Sequence, residues 1–150
     1  MIAVDSNLLI YAHREDSEWH REAFTALKTL AEGTRRWAIP WPCVHEFIAI
    51  TTHPGIYQPP TPLPVALEAM RVWLASPACR PIGEGPDYLA LLEELALKGK
   101  ARGPRIHDAR IAAICLQNGV TELWSADRDL SRFQQLRIVN PLLRRPHRGR

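Results

Sequence analysis

Cysteine is scarce in this sequence, and its thiols form no motif. The 150 residues include only Cys43, Cys79 and Cys115, which are too far apart for a CxxC pair. No histidines accompany them at the spacing of a zinc site. Isolated thiols are typical of proteins in a reducing compartment, so we expect these three to be free and buried.

Long apolar runs are also missing. No stretch is long enough to cross a membrane, and the chain does not open with the charged and then apolar pattern of a secretion signal. Internal repeats are absent, which argues against a solenoid. With 46% hydrophobic residues over 150 positions, the sequence predicts one soluble, cytoplasmic domain with a substantial core.

Acidic residues are absent from the C-terminal end. The last seven residues, RRPHRGR, contain four arginines, which account for more than the whole formal net charge of +3. We therefore divide the chain into a nearly neutral domain at residues 1–143 and a basic, disordered tail at 144–150. The alternative for the tail is a contact with phosphates.

The rest of the chain alternates between strand-like and helix-like segments. Short apolar runs predict strands at 1–4, 37–40, 79–83, 120–127 and 136–139. Helical spacing predicts helices from about residue 7, at 18–32, 43–52, 64–75, 86–98, and from 106 to Gly119. Five of the thirteen prolines fall in 53–64, which must be a loop. This order predicts a three-layer α/β/α fold with a mainly parallel central sheet.

Two acids end predicted strands. Asp5 follows the first strand and Asp127 ends the fourth, with Asp129 two residues later. In open α/β sheets ligands bind in the crevice at the carboxyl ends of the strands, so both acids are candidates for a site. The alternative for Asp5 is that it only caps the following helix.

Two further acids lie near the beginnings of predicted helices, among apolar neighbours. They are Glu46 in CVHEFIAITT and Asp108 in IHDARIAAICL. Glu46 could instead be an ordinary exposed helix residue, and Asp108 a first-turn acid that stabilises the helix dipole. Because both helices follow strands or loops, we expect their first turns to open toward Asp5 and Asp127.

A group of carboxylates in a crevice predicts a bound cation. Their mutual repulsion raises their pKa values and is costly without positive charge. Oxygen donors alone suit Mg²⁺ or Mn²⁺ better than zinc. His45 and His107 are sequence neighbours of proposed ligands, but adjacent helix residues point about 100° apart, so we expect neither to bind the metal.

Four segments in order resemble a known family. VDSNLLIYA, VHEFIAI, HDARIAA and SADRDLSRF are similar to the four blocks of PIN-domain ribonucleases, and most similar to VapC toxins of bacterial VapBC toxin-antitoxin pairs, particularly the mycobacterial type. The similarity runs from residue 2 to about 140. Ser6, Ser125 and Leu130 are mild departures from the commoner Thr, Thr and Phe, and none removes a charge.

The resemblance assigns roles to individual residues. It implies that the metal ligands, and so the catalytic residues, are Asp5, Glu46, Asp108 and Asp127. Asn7 and Ser125 match supporting positions that orient a ligand or a metal-bound water, although Ser125 could be a plain strand-end hydroxyl. Asp129 matches a more peripheral acid, and which of Asp127 and Asp129 reaches the metal stays open.

The implied activity is metal-dependent cleavage of RNA. One or two Mg²⁺ or Mn²⁺ ions would neutralise the scissile phosphate and activate a water molecule. In-line attack by that water would leave a 5′-phosphate and a 3′-hydroxyl. Three arginines near the acids in sequence could contact phosphates or merely balance carboxylates: Arg110, Arg128 and Arg132.

The resemblance also implies partners. A VapB-type antitoxin would wrap the toxin and reach the acidic crevice with an Arg or Lys. Apolar residues for that contact could be Trp19, Phe24 and Phe47, with core packing as the alternative. We expect a homodimer. The RNA substrate could be a tRNA, a ribosomal RNA or an mRNA, since no short motif records the target.

Other classes fit less well. A haloacid-dehalogenase-like phosphatase needs a second Asp where this chain has Asn7, and a response-regulator receiver needs a lysine that LRIVNPLLRR does not offer. The alternative that stays open is a non-catalytic PIN-like module that binds RNA or protein through the same crevice.

Overall fold

The computed structural model describes residues 1–143. The predicted tail at 144–150 lies outside the described residues. In chain order the elements are β1 (Ile2–Val4), α1 (Ser6–His13), α2 (His20–Glu32), β2 (Trp37–Pro40), α3 (Trp41–Thr51), α4 (Leu63–Leu74), β3 (Cys79–Ile82), α5 (Tyr88–Lys98), α6 (Ile106–Gln117), β4 (Glu122–Trp124) and β5 (Arg137–Val139). Short 3₁₀ turns cover Gly103–Arg105 and Arg128–Arg132.

The five strands form one parallel sheet in the order β3-β2-β1-β4-β5. The chain moves outward from β1 to β3, then returns across β1 to reach β4. Right-handed crossovers therefore place α1–α4 on one face of the sheet and α5 and α6 on the other. The predicted three-layer fold is confirmed. The reversal of direction falls between β1 and β4, where sheets of this kind form a crevice.

The core lies on both sides of the central strands. All residues of β1 and β2 are buried, and α6 buries Ala109 together with the run from Ile111 to Cys115. Cys43 and Cys115 are buried and Cys79 is partly buried, and all three thiols are free. No helix in the described part of the chain is long and apolar enough to span a membrane.

Several predicted boundaries shift for local reasons. Helix α3 begins at Trp41, two residues early, because Pro42 occupies a first-turn position that needs no backbone N–H. Strand β4 has three residues rather than eight. The N–H of Val120 still bonds to Cys115 O at the end of α6, and after Trp124 the chain turns so that Ser125 and Ala126 hydrogen-bond with Asp5 and Asn7. Four of the five prolines in 53–64 lie outside helices and strands, as predicted for a loop. The fifth, Pro64, lies in the first turn of α4, which begins at Leu63.

Phe47 does not belong to an exposed surface. Its side chain is fully buried, with ring edges of His13 and Trp73 at centroid distances of 5.4 Å. The core alternative therefore holds for Phe47, whereas Trp19 and Phe24 are exposed. Burial follows from α3 packing against both α1 and α4, which encloses this face of the helix.

Phe47→Ala and Phe24→Ala form a matched pair that tests this packing. Phe47→Ala should lower the free energy of unfolding by about 3 to 5 kcal/mol, because it leaves a cavity in the core. Phe24→Ala, at 51% exposure, should cost less than about 1 kcal/mol. Urea unfolding of both variants measures the difference, and equal losses would contradict the assigned burial.

Candidate active site

Asp5 is placed at the crevice by the backbone of two strands. Its N–H donates to Trp124 O at 2.9 Å, which extends the β1–β4 ladder by one residue. The side chain then accepts the N–H of Ser6 at 2.8 Å and so caps α1. Asp5 therefore does cap the helix, as the alternative interpretation predicted. Capping does not account for the rest of the environment, because the carboxylate is only 6% exposed.

A hydrogen-bond network fixes the buried carboxylate. Ser125 Oγ donates to Asp5 Oδ2 at 2.7 Å, and Asn7 Nδ2 lies 3.1 Å from Ser125 Oγ and 3.4 Å from Asp5 Oδ2. The Asn7 carbonyl accepts the N–H of Ala126 at 3.2 Å, and Ser125 Oγ accepts the N–H of Asp127 at 3.0 Å. Asn7 and Ser125 therefore join α1 to the turn after β4 and orient Asp5.

Four predicted acids are connected electrostatically through Asp5 and Asp108. Burial is the main cause that raises the pKa of Asp5, and the charge of Asp127 raises it further. The pKa of Asp108 is raised by burial, by Asp127 and by Asp5. Partial loss of hydration next to neighbouring side chains raises the pKa of Glu46, with added contributions from Asp5 and Asp108, while a hydrogen bond from Ser6 opposes the shift. We call Asp5, Glu46, Asp108 and Asp127 the acidic cluster.

The acidic cluster is open rather than closed. Asp5 is buried, and Asp108 and Asp127 are half-buried. Glu46 is exposed on α3, which agrees with the alternative of an ordinary exposed helix residue on this one point. Within residues 1–143, no three Asp, Glu, His or Cys side chains lie close enough to hold one ion together. The structure thus brings the four acids to one edge of the sheet without closing them into a cage.

Arg105 is a member of the site that the sequence did not reveal. Its Nη1 is 3.5 Å from Asp108 Oδ2 and forms an ion pair with Asp129 Oδ2. The signal was an arginine three residues before an acid, a spacing that brings side chains together in a helical turn. Arg105 therefore places positive charge beside the acidic cluster.

The contacts also separate Asp127 from Asp129. Asp127 accepts the N–H of Asp129 at 2.9 Å and acts electrostatically on Asp5 and Asp108. Asp129 instead faces Arg105. Asp127 is thus the acid nearer to the centre of the cluster.

The three arginines named from the sequence have other contacts. Arg110 pairs with Glu84 at 2.6 Å, and Arg132 donates to the backbone carbonyls of Asp129 and Gly99. Arg128 is exposed. Arg110 therefore balances a carboxylate outside the acidic cluster.

A family model for the PIN domain matches residues 2–136, which is nearly the whole described chain. The chain belongs to the PIN-domain family. Ribonuclease VapC43 of Mycobacterium tuberculosis is 35% identical over 142 residues, covering 95% of this PIN domain and 96% of VapC43. The resemblance noted from the four sequence blocks is confirmed.

Solved structures share the fold of this PIN domain. VapBC2 from Rickettsia felis, bound to a DNA fragment from its promoter, has a TM-score of 0.65 at 18% identity and covers 93% of this chain and 98% of its own. Mycobacterium tuberculosis VapC20, a toxin that cleaves the sarcin-ricin loop, has a TM-score of 0.64 at 16% identity, with 87% and 93% covered.

The raised pKa of Asp5 predicts a pH dependence for the metal-free PIN domain. Folding favours the protonated form of Asp5. Protonation of Asp5 therefore stabilises the fold fully below the pKa that Asp5 has in the unfolded chain, and this stabilisation is lost as pH rises through its pKa in the folded chain. Relative to Asp5→Asn, the wild-type free energy of unfolding should therefore increase as pH falls from about 7 to about 4.

Urea unfolding in EDTA across this range measures the difference. Asp16→Asn is the control, because Arg14 holds the pKa of Asp16 below its ordinary value and no such increase follows there. The prediction is contradicted if the free energy of unfolding of wild type minus that of Asp5→Asn stays constant or decreases as pH falls.

Proposed function

We propose that this PIN domain is a Mg²⁺- or Mn²⁺-dependent endoribonuclease that acts as the toxin of a toxin-antitoxin pair. The observation that carries the proposal is the burial of Asp5 at the β1–β4 crevice, with three more carboxylates in electrostatic reach. Repulsion between carboxylates lowers the stability of the fold and is typical of functional sites, and a bound cation removes it. The name of VapC43 as a ribonuclease supports RNA as the substrate.

The chemistry of the donors fits a hard cation. All four side chains of the acidic cluster offer oxygen, which Mg²⁺ and Mn²⁺ prefer. Asp108, Asp127 and Glu46 are not buried, so their side chains can turn toward Asp5 without disturbing the core. We assign Asp5, Glu46, Asp108 and Asp127 as the residues that would hold the ion.

A bound ion would neutralise charge on the scissile phosphate and bring the pKa of a water molecule toward neutrality. The protein's own part is orientation. Ser125 and Asn7 hold Asp5 in one position by donating to its Oδ2, while the N–H of Ser6 donates to its Oδ1. Arg105 is half-exposed beside Asp108 and Asp129, where it can contact a phosphate of the substrate.

Retention of all four acids favours the enzyme over a non-catalytic binding module. Negative charge at the crevice repels an RNA backbone unless a cation is present, so a simple RNA-binding surface gains nothing from it. The free thiols agree with a cytoplasmic location, where the RNA substrates named above occur.

The central prediction concerns Asp5→Asn. Wild type should cleave RNA with Mn²⁺ and not with EDTA, and Mn²⁺ at about a hundredfold excess over its dissociation constant should raise the melting temperature by about 5 to 10 °C. Asp5→Asn should abolish cleavage and most of that rise. Scanning calorimetry beside a cleavage assay measures both, and near wild-type cleavage by Asp5→Asn would contradict the assignment.

Arg105→Ala is the matched variant for the same calorimetry. It removes the cation that pairs with Asp108 and leaves the four acids in place. The Mn²⁺-induced rise should therefore be at least as large as in wild type. A rise lost equally in Arg105→Ala and Asp5→Asn would indicate general damage to the site rather than loss of a ligand.

We also propose a VapB-type antitoxin as partner, seated in an apolar groove between α1, α2 and α4. The groove has a volume of about 730 Å³ and is lined by the exposed side chains of Phe24, Val65 and Val72. Its rim includes three glutamates beside Lys28, which suits a basic and apolar segment: Glu15, Glu32 and Glu68. The VapBC2 assembly supports such a partner. We further propose a homodimer.

Phe24→Ala should weaken the complex with the antitoxin encoded beside this gene by about tenfold or more, since exposed aromatic side chains dominate such contacts. Leu89→Ala, an exposed apolar position on α5, is the control and should not change the affinity. Titration calorimetry measures the affinity, and light scattering of the free toxin at micromolar concentration reads its oligomeric state. Unchanged affinity for Phe24→Ala refutes the groove, and a monomer refutes the dimer.

A further inference from the structure

Trp41 is exposed at the same edge of the sheet as the acidic cluster. It is the first residue of α3, directly after β2, and its side chain is 41% exposed. The ring is nevertheless held in place. A methyl group on Gly83 would lie 3.2 Å from Trp41 Cδ1, so the indole packs on the backbone at the end of β3.

His45 extends this aromatic surface. Its ring lies one helical turn along α3, nearly parallel to Trp41 at 26° and with centroids 6.4 Å apart. His45 is itself exposed. Two exposed, nearly parallel rings, of which Trp41 is held against Gly83, offer a face on which another flat ring can stack.

A pocket of about 370 Å³ adjoins these rings, between the N-terminal halves of α3 and α6. Its volume falls in the range of about 300 to 1,000 Å³ that is common for small-ligand sites. The walls include two imidazoles, a guanidinium, a carboxylate and a proline: His45, His107, Arg110, Glu46 and Pro42. Because Glu46 belongs to the acidic cluster, the pocket opens directly beside the proposed point of cleavage.

The charges at the pocket favour a base over a bare phosphate. Arg110 is already paired with Glu84, and the nearby His45 lowers the pKa of that glutamate as well. His107 likewise acts on Glu46. Positive and negative groups therefore alternate around the pocket, which suits the donor and acceptor edges of a nucleobase. A phosphate would meet the carboxylate of Glu46 and an arginine that is already paired.

We propose that Trp41 and His45, with the adjoining pocket, bind an unpaired nucleobase of the RNA next to the scissile phosphate. The inference rests on the proposed ribonuclease function and adds a subsite to it. Stacking on aromatic side chains contributes about 1 to 3 kcal/mol per base and tolerates any sequence. Glu46 and His45 line the same pocket, so an RNA chain held at the acidic cluster passes beside these rings. Unpaired bases are the part of RNA that proteins read.

Binding of a labelled single-stranded oligoribonucleotide of about twelve nucleotides tests the subsite. Fluorescence anisotropy in the otherwise wild-type chain uses Ca²⁺ in place of Mn²⁺, since Ca²⁺ also binds carboxylate oxygens, and the probe is checked to be intact after the measurement. Adding Trp41→Ala should weaken binding about 5- to 150-fold, whereas Trp41→Phe should restore most of the affinity. Trp19→Ala, an equally exposed tryptophan beyond the far end of α1, should have no effect.

Cleavage kinetics in the otherwise wild-type chain give a second reading. Trp41→Ala should raise KM with little change in kcat, because the ring binds a neighbouring nucleotide and not the reacting atoms. Circular dichroism should show a folded variant whose melting temperature falls by about a few degrees at most, because the ring is only partly covered by Gly83.

Two binding results would overturn the inference: a Trp41→Ala variant with wild-type affinity for RNA, or a Trp41→Phe variant that binds RNA as weakly as Trp41→Ala. The inference also falls if Trp41→Ala loses antitoxin binding, or loses dimers, while its RNA binding stays intact. Failure of the proposed function looks different. If wild type with Mn²⁺ cleaves no RNA while Trp41→Ala still weakens binding, the subsite stands and the catalytic proposal falls.

Discussion

The hydrogen bond from Ser125 to Asp5 is the contact on which the arrangement of the site depends. It joins the ends of β1 and β4, the two strands between which the sheet reverses its direction. Because Asn7 and the turn at Ala126 share the same network, the acid, its helix and the loop after β4 are fixed together. Burial of Asp5 makes negative charge on its carboxylate costly. The fold supplies a rigid acid, and the other acids of the cluster stay adjustable around it.

Much of the architecture followed from periodicity. Apolar runs and helical spacing located every strand and helix, because the central strands are buried on both faces and their hydrophobicity is continuous. Strand β4 came out shorter than its apolar pattern, because the chain turns after Trp124, where the side chains of Ser125 and Asp127 hydrogen-bond with Asp5 and Asp129. Phe47 could not be assigned from its helix alone, because its burial depends on α1 and α4, which are distant in sequence.

The site was predictable in its acids and not in its surroundings. Strand-end position and the four family blocks pointed to Asp5, Glu46, Asp108 and Asp127, and the structure gathers them at one edge. Their role as metal ligands stays a prediction. Arg105 and Trp41 were not predicted because neither belongs to a motif. Their place at the site depends on contacts with Asp129 and Gly83, which form only in the folded chain.

The account depends most on a cation at the acidic cluster. Diffraction from crystals grown with Mn²⁺, collected at a wavelength where manganese scatters anomalously, locates such an ion without reference to activity. We expect an anomalous peak within coordination distance of Asp5 and of at least one further acid of the cluster, about 2.0 to 2.2 Å from their oxygens. Saturating Mn²⁺ with no peak there, or with a peak only elsewhere on the molecule, would contradict the account.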